Sequence, residues 1–417
     1  MIITSKILVP ITSPPLLDSA ILIEEGKIIA LGHRKEIVKR YAGEEIRDYP
    51  HSVILPGLIN LHTHLEYTSL GGLREPTSFI PWLDSLILRS QELSEEDWGE
   101  SYKKGIEEVK RCGVTTVVDI ARWGVGLDDM ITSGLRCIYC IEFVAVDDVK
   151  LSRAGEELES TLKNALTKAE GTQVQIGLAP HSIYTLSKKA LSFIAKLARE
   201  RDLFLTIHLA ESQEESNLIR NGEGPLKDFL SRYHLDTVPA QGLDISPVMY
   251  LLQCGILKNS SLVSHVLWVD NKDLKLLREK RVGIALCPKS NHLLGNGQAP
   301  LEQMRNQGLH FGIGTDSLAS NSSLDLFDEL RFFRSQYQGF SDEELFKIVT
   351  INSAEILRMN EMIGSIEEGK QADLMVIRLK KEVSPSTIYQ YLIEEGRKED
   401  LLLSLVDGMI IFERGEA

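Results

Sequence analysis

Apolar, β-branched runs recur through the middle of the chain at near-regular intervals, at 58–64, 114–119, 137–144, 174–179, 203–208, 261–265, 282–287 and 310–315. Short continuous apolar runs of this kind read as buried strands. In the gaps, apolar residues return every three or four positions, and helices are expected at 101–111, 154–169, 187–199 and 325–337. Eight strand–helix units predict an α/β fold of the closed, TIM-like (β/α)8 barrel type. An open doubly wound sheet is the competing architecture. The missing G-x-G-x-x-G turn after the first strand and the count of eight favour closure.

The two ends of the chain have a different texture. Residues 1 to about 55 alternate short β-like runs with turns, such as Ala20-Ile21-Leu22-Ile23 and Lys27-Ile28-Ile29-Ala30. Ala372-Asp373-Leu374-Met375-Val376-Ile377 and Met409-Ile410-Ile411-Phe412 resume that texture near the other end. Neither piece has enough strands alone, so they are expected to combine as a small β-sandwich domain, 1–56 with 366–417, around a barrel at 57–365. The long interval after the fifth run, 208–261, is a candidate cover for the barrel mouth. The charge run at 394–400 reads as a solvated turn.

Composition narrows the partners. The 417 residues carry a net charge of -14 and a pI near 5.3, which argues against a nucleic-acid partner, because phosphate binding needs Lys and Arg. A small-molecule substrate is expected instead. No run reaches membrane-spanning length and the first residues lack a secretory pattern, so no membrane partner and a cytoplasmic location are expected. The five cysteines suit a reducing compartment. Cys137 and Cys140, on opposite faces of one strand, read as core residues rather than a metal or redox pair.

Polar residues able to bind a metal gather at strand ends. His62 and His64 end the first run, His208 the fifth, His265 the sixth and Asp316 follows the eighth. A barrel builds its active site at that rim. Two imidazoles from strand one, a third from strand five and a carboxylate from strand eight leave one position for water, as a hydrolytic metal requires. Such a metal lowers the pKa of bound water from ~15.7 to about 7. Nitrogen and oxygen ligands suit zinc or ferrous iron. One divalent ion is expected, because the end of strand four, Gly177-Leu178-Ala179-Pro180-His181, has no lysine to bridge two. Glu211, three residues beyond His208, is placed to move a proton between water and substrate. His265 fits either as a ligand or as a base beside the metal, and the second role is preferred.

Six motifs in order carry a family resemblance: Pro-Gly-Leu-Ile-Asn-Leu-His-Thr-His (56–64), His-Leu-Ala-Glu (208–211), Ser-His (264–265), Cys-Pro-Lys-Ser-Asn (287–291), Gly-Thr-Asp-Ser-Leu-Ala-Ser-Asn (314–321) and Ile-Glu-Glu-Gly-Lys-Gln-Ala-Asp-Leu (366–374). Over nearly its whole length the chain resembles the amidohydrolase superfamily, and within it the mononuclear aminohydrolases. The resemblance implies that His62, His64, His208 and Asp316 bind metal, that Glu211 shuttles the proton, and that His265 with Asp316 orients the nucleophile. Segments 64–70, 78–83, 224–230 and 321–331 resemble the aminodeoxyfutalosine deaminases of the alternative menaquinone route. Methylthioadenosine/S-adenosylhomocysteine deaminases share much of this, including Ala179-Pro180-His181-Ser182. The implied reaction is hydrolytic deamination of a 6-aminopurine nucleoside, aminodeoxyfutalosine first and methylthioadenosine or S-adenosylhomocysteine next. Hydrolysis of another cyclic amidine, an amide or a chloro-triazine is the wider alternative. Glu66, Trp82, His181, Ser317 and Asn321 are the substrate-side candidates, and association into a homo-oligomer is expected.

Overall fold

Four strands precede the barrel: β1 (Ile2–Leu8), β2 (Leu16–Glu24), β3 (Lys27–His33) and β4 (Ile46–Pro56). Alternation sorts their side chains. Ile3, Ile21 and Ile23 pack in one cluster, whereas Ile2, Ala20 and Leu22 pack in another with Ala30 and Ile37. The structure, a computed structural model, describes residues 1–415 except 74, 147, 149–150, 234, 236–241 and 259–260. Part of the 208–261 interval therefore lies outside the described residues.

The barrel strands follow as β5 (Leu58–Thr63), β6 (Val114–Arg122), β7 (Arg136–Phe143), β8 (Val174–Pro180), β9 (Phe204–Leu209), β10 (Ser261–His265), β11 (Gly283–Leu286) and β12 (Phe311–Ile313). They pair in sequence order, all parallel. The ring closes where Thr63 bridges Asp316 and the Asp316 N–H donates to the His62 carbonyl at 2.9 Å. Ile59, Leu61, Val118, Ile120, Ile138 and Cys140 fill the interior, and the neighbouring positions Val117, Cys137, Tyr139 and Ile141 pack outward in the large core shared with the helices. This is the α/β barrel that eight regularly spaced apolar runs lead one to expect.

After the barrel come β13 (Leu374–Arg378), β14 (Leu401–Val406) and β15 (Met409–Glu413). They join the first four strands in one seven-stranded sheet of order β15-β14-β13-β4-β1-β2-β3, mixed because β1 and β4 run parallel. Both termini thus build the small β domain, and the seam is the antiparallel pairing of β4 with β13. Gly57 alone separates β4 from β5. A side chain there would start within 2.1 Å of the Thr115 hydroxyl, so glycine lets the small sheet pass directly into the barrel. A buried ion pair ties the two parts together: Arg136, at the start of β7, reaches both oxygens of Asp373 at 2.8 and 3.0 Å.

Among the described residues, no helix is long and apolar enough to cross a membrane.

Candidate active site

The rim of the barrel is built on strained backbone. Ala210, His265, Val266 and Asp316, at the ends of β9, β10 and β12, hold φ of 51°, 74°, 54° and 59° without being glycine. Each such residue costs about 1–3 kcal/mol and persists only where its surroundings enforce it. Here the enforcing bonds run between strands: Val266 N–H donates to Leu209 and Leu267 N–H to Ala210, both at 3.0 Å. The sharp turns swing the strand-end side chains inward over the barrel.

His62, His64 and His208 meet there, with one nitrogen of each lying within 4.8 Å of the others. The β5–β6 register shifts between Asn60 and Thr63, and His64 lies just past the strand end. His62 Nδ1 pairs with Ser264 Oγ at 2.9 Å, and His208 Nδ1 lies 2.6 Å from the His181 carbonyl, which only an N–H can satisfy. The other nitrogens are thereby turned to the centre, where His64 Nε2 stands 3.2 Å from His208 Nε2. Asp316 Oδ1 lies 3.7 Å from His62 Nε2 and 3.9 Å from His64 Nε2, while Ser290 Oγ and the Ser317 N–H donate to its carboxylate at 2.6 and 2.8 Å.

Burial disfavours charge on these rings. It pushes His62 and His64 well below the usual imidazole range and His208 to about 4, with the neighbouring imidazoles adding to the shift. Burial works against ionisation of Asp316 too, yet His265, His64 and the Ser290 hydroxyl together hold it below the usual carboxylate range. Neutral imidazoles and an ionised carboxylate are the states that ligate a cation. His62 Nε2 is also buried with no hydrogen-bond partner among the described residues, which is costly for a polar atom in a protein interior and suits a metal ligand. The donor set therefore fits a divalent metal. His62 and His265 also approach Cys287, but burial raises that thiol well above its ordinary range, and a protonated thiol is a poor ligand.

Glu211 stands beside this cluster. Its Oε1 is 3.9 Å from His265 Nε2 and accepts from Asn296 Nδ2 at 3.3 Å. Burial lifts it to about 8, so it holds a proton at neutral pH. The neighbouring Glu215 fixes the turn beneath, accepting from the Ala210 and Glu211 N–H groups at 2.9 and 2.8 Å. His265 Nδ1 sits 2.8 Å from Asn291 Oδ1, which assigns its proton to that side and leaves Nε2 open toward Glu211.

Of the substrate-side candidates, Trp82, His181 and Ser317 line the cleft over the cluster. Glu66 and Asn321 lie outside that lining. Glu66 is buried and accepts from the Arg122 N–H at 3.1 Å, and Asn321 donates to the Thr315 carbonyl and to Glu329. The roof comes from the first strand–helix connection: Phe79, Trp82, Leu83 and Leu86 of the helix Phe79–Gln91. The free space beneath it is small, about 50 Å³. Larger grooves of about 520 and 620 Å³ lie elsewhere, one against the opposite end of β11 and β12, but no comparable set of buried titratable groups converges on them. Sequence reasoning passed over Tyr67, Tyr184 and Glu142, which also line the cleft. For Glu142 the signal was available: it is a carboxylate near the end of a barrel strand.

A parallel barrel whose strand ends present buried imidazoles and carboxylates offers the setting a metal-dependent hydrolase needs. The Amidohydrolase family model matches residues 53–408, and the chain belongs to that family, hydrolases acting on C–N bonds. It is 30% identical to the 5-methylthioadenosine/S-adenosylhomocysteine deaminase of Pyrococcus horikoshii over 95% of this chain and 90% of the other. Its fold is similar to that of Helicobacter pylori aminofutalosine deaminase, solved with methylthio-coformycin, at a TM-score of 0.87 and 24% identity over 99% of this chain and 100% of the other. A zinc-bound adenosine deaminase from Xanthomonas campestris matches at 0.83 and 22% over 98% and 92%.

Proposed function

We propose that this protein is a metal-dependent deaminase that hydrolyses the 6-amino group of an adenine-type nucleoside. The observation that carries the reading is a buried Glu211 carboxyl beside His265, three converging imidazoles and Asp316. In this reading His62, His64, His208 and Asp316 hold one divalent ion, zinc or ferrous iron. When bound, that ion supplies the acidity that makes water a nucleophile at neutral pH.

The chain's own residues do the rest. Glu211 gives its proton to N1 of the ring as water adds at C6, which removes the charge that would otherwise build on the ring. His265 Nε2 and Asp316 hold the proton of the attacking water, and Glu211, ionised by its first transfer, recovers it. Glu211 then protonates the exocyclic amine, the C6–N bond breaks, ammonia leaves, and the remaining C6 hydroxyl proton passes back to Glu211 as the 6-oxopurine forms. Trp82, Phe79 and Leu83 exclude water and offer an apolar surface to the substrate.

Within this class, 5'-methylthioadenosine and S-adenosylhomocysteine are supported by relatives bearing those names along almost the full chain. Aminodeoxyfutalosine is supported by the segments at 64–70, 78–83 and 321–331. The test is ammonia release and the ultraviolet change from adenine to hypoxanthine with each of these, adenosine and cytosine. Release from at least one adenine nucleoside is expected; release from cytosine alone contradicts the proposal.

A further inference from the structure

Glu142 is the one acid of the described cleft lining with no part in the chemistry above. It lies one residue from the end of β7, level with Arg122 on β6 and Ala179 on β8, and its side chain faces the same space as His181, Tyr184 and Glu211. No hydrogen bond from a described residue holds its carboxylate; burial pushes its pKa up, the charges of His208 and Arg122 oppose that, and it repels Glu66. Glu142 is half-buried in the cleft lining, and a carboxylate there without a protein donor is open to donors on a ligand.

Elimination says which donors. An adenine nucleoside has two sets, the exocyclic amine and the ribose hydroxyls. The amine belongs to the reacting end, where Glu211 and Asp316 already act. Asp316 is further engaged by Ser290 and Ser317, and Glu211 by Asn296. The remaining acid has two acceptor oxygens, matched to a vicinal pair of hydroxyls. We infer that Glu142 recognises the substrate's ribose by accepting hydrogen bonds from its 2'- and 3'-hydroxyls. The inference rests on the nucleoside reading. It makes Glu142 a specificity-determining residue for ribonucleosides over deoxyribonucleosides and free bases.

The experiment is a substrate–variant cycle: kcat and KM for adenosine and 2',3'-dideoxyadenosine, with the wild-type holoenzyme, Glu142→Gln and Glu142→Ala. Hydrogen bonds to a charged group correspond to roughly 10- to 100-fold in affinity. Glu142→Ala is expected to lose about that much kcat/KM on adenosine, chiefly through KM. Its loss on the dideoxy compound should be at least tenfold smaller. Glu142→Gln, close in shape and keeping one acceptor, should fall between and guards against misfolding of the alanine variant. Equal losses on both substrates in either folded variant overturn the inference while leaving the deaminase reading intact. A wild-type enzyme that turns over no adenine nucleoside, yet releases ammonia from another ring, overturns that reading and this inference with it.

Discussion

Glu211 shows how position decides what a carboxylate does. Three acids follow one another closely here, Glu211, Glu214 and Glu215, and a helix-opening role suits each equally on sequence. The fold divides the work: Glu215 turns inward to bind two backbone N–H groups, and Glu211 faces the cleft beside His265. Glu211→Gln keeps the shape and removes the transferable proton. It is expected to lower kcat by about 10²- to 10⁴-fold without changing bound metal, measured by steady-state kinetics beside elemental analysis; a variant at full rate contradicts the proton-transfer role. The histidines and Asp316 were legible in the sequence because five polar groups ended otherwise apolar runs. Glu142 was equally exposed to that rule but lay inside the run 137–144, where neighbouring cysteines drew the eye to core packing.

At the level of elements, the turn that carries His64 depends on the strand beside it. Asp119, fully buried on β6, accepts from Thr63 Oγ1 at 2.8 Å, from the Leu65 N–H at 3.0 Å and from the Tyr102 hydroxyl at 2.7 Å. The first two bonds grip the residues on either side of His64. Partners that orient ligands typically carry 10- to 100-fold in metal affinity. Thr63→Val, which deletes one bond without altering volume, is expected to weaken zinc binding about tenfold, and Asp119→Asn by somewhat more. Competition with a chelator measures this, and an unchanged dissociation constant in both variants contradicts the clamp. None of this was readable in advance. Asp119 appeared only as the polar end of an apolar run, and its partners come from positions 17 and 56 residues away. The roof was read in part, through Trp82, and the expected cover at 208–261 lies partly outside the described residues. The roof helix, Phe79–Gln91, belongs to the first connection, whereas length alone pointed to the fifth.

For the whole molecule, periodicity was the strongest guide. Eight spaced apolar runs became eight parallel strands in chain order, and two β-rich ends became one sheet. Closure could be anticipated from the count, and the strand-end residues of runs one, five and eight were expected to meet at its rim; the bonds that close the ring could not be anticipated. The last strand is only three residues long, yet it brings Asp316 against His62 across the whole length of the barrel sequence. The catalytic proposal depends on that closure, since ligands from β5, β9 and the end of β12 share one centre only in a complete ring. The most direct measurement strips the protein of metal and returns zinc or ferrous iron in sub-stoichiometric steps, following bound metal and adenine-nucleoside deamination together. Activity should rise in proportion to bound metal and stop at one equivalent, as the proposed single four-ligand site requires. Full deamination by the metal-free protein, or a rise that continues to two equivalents, would contradict the account.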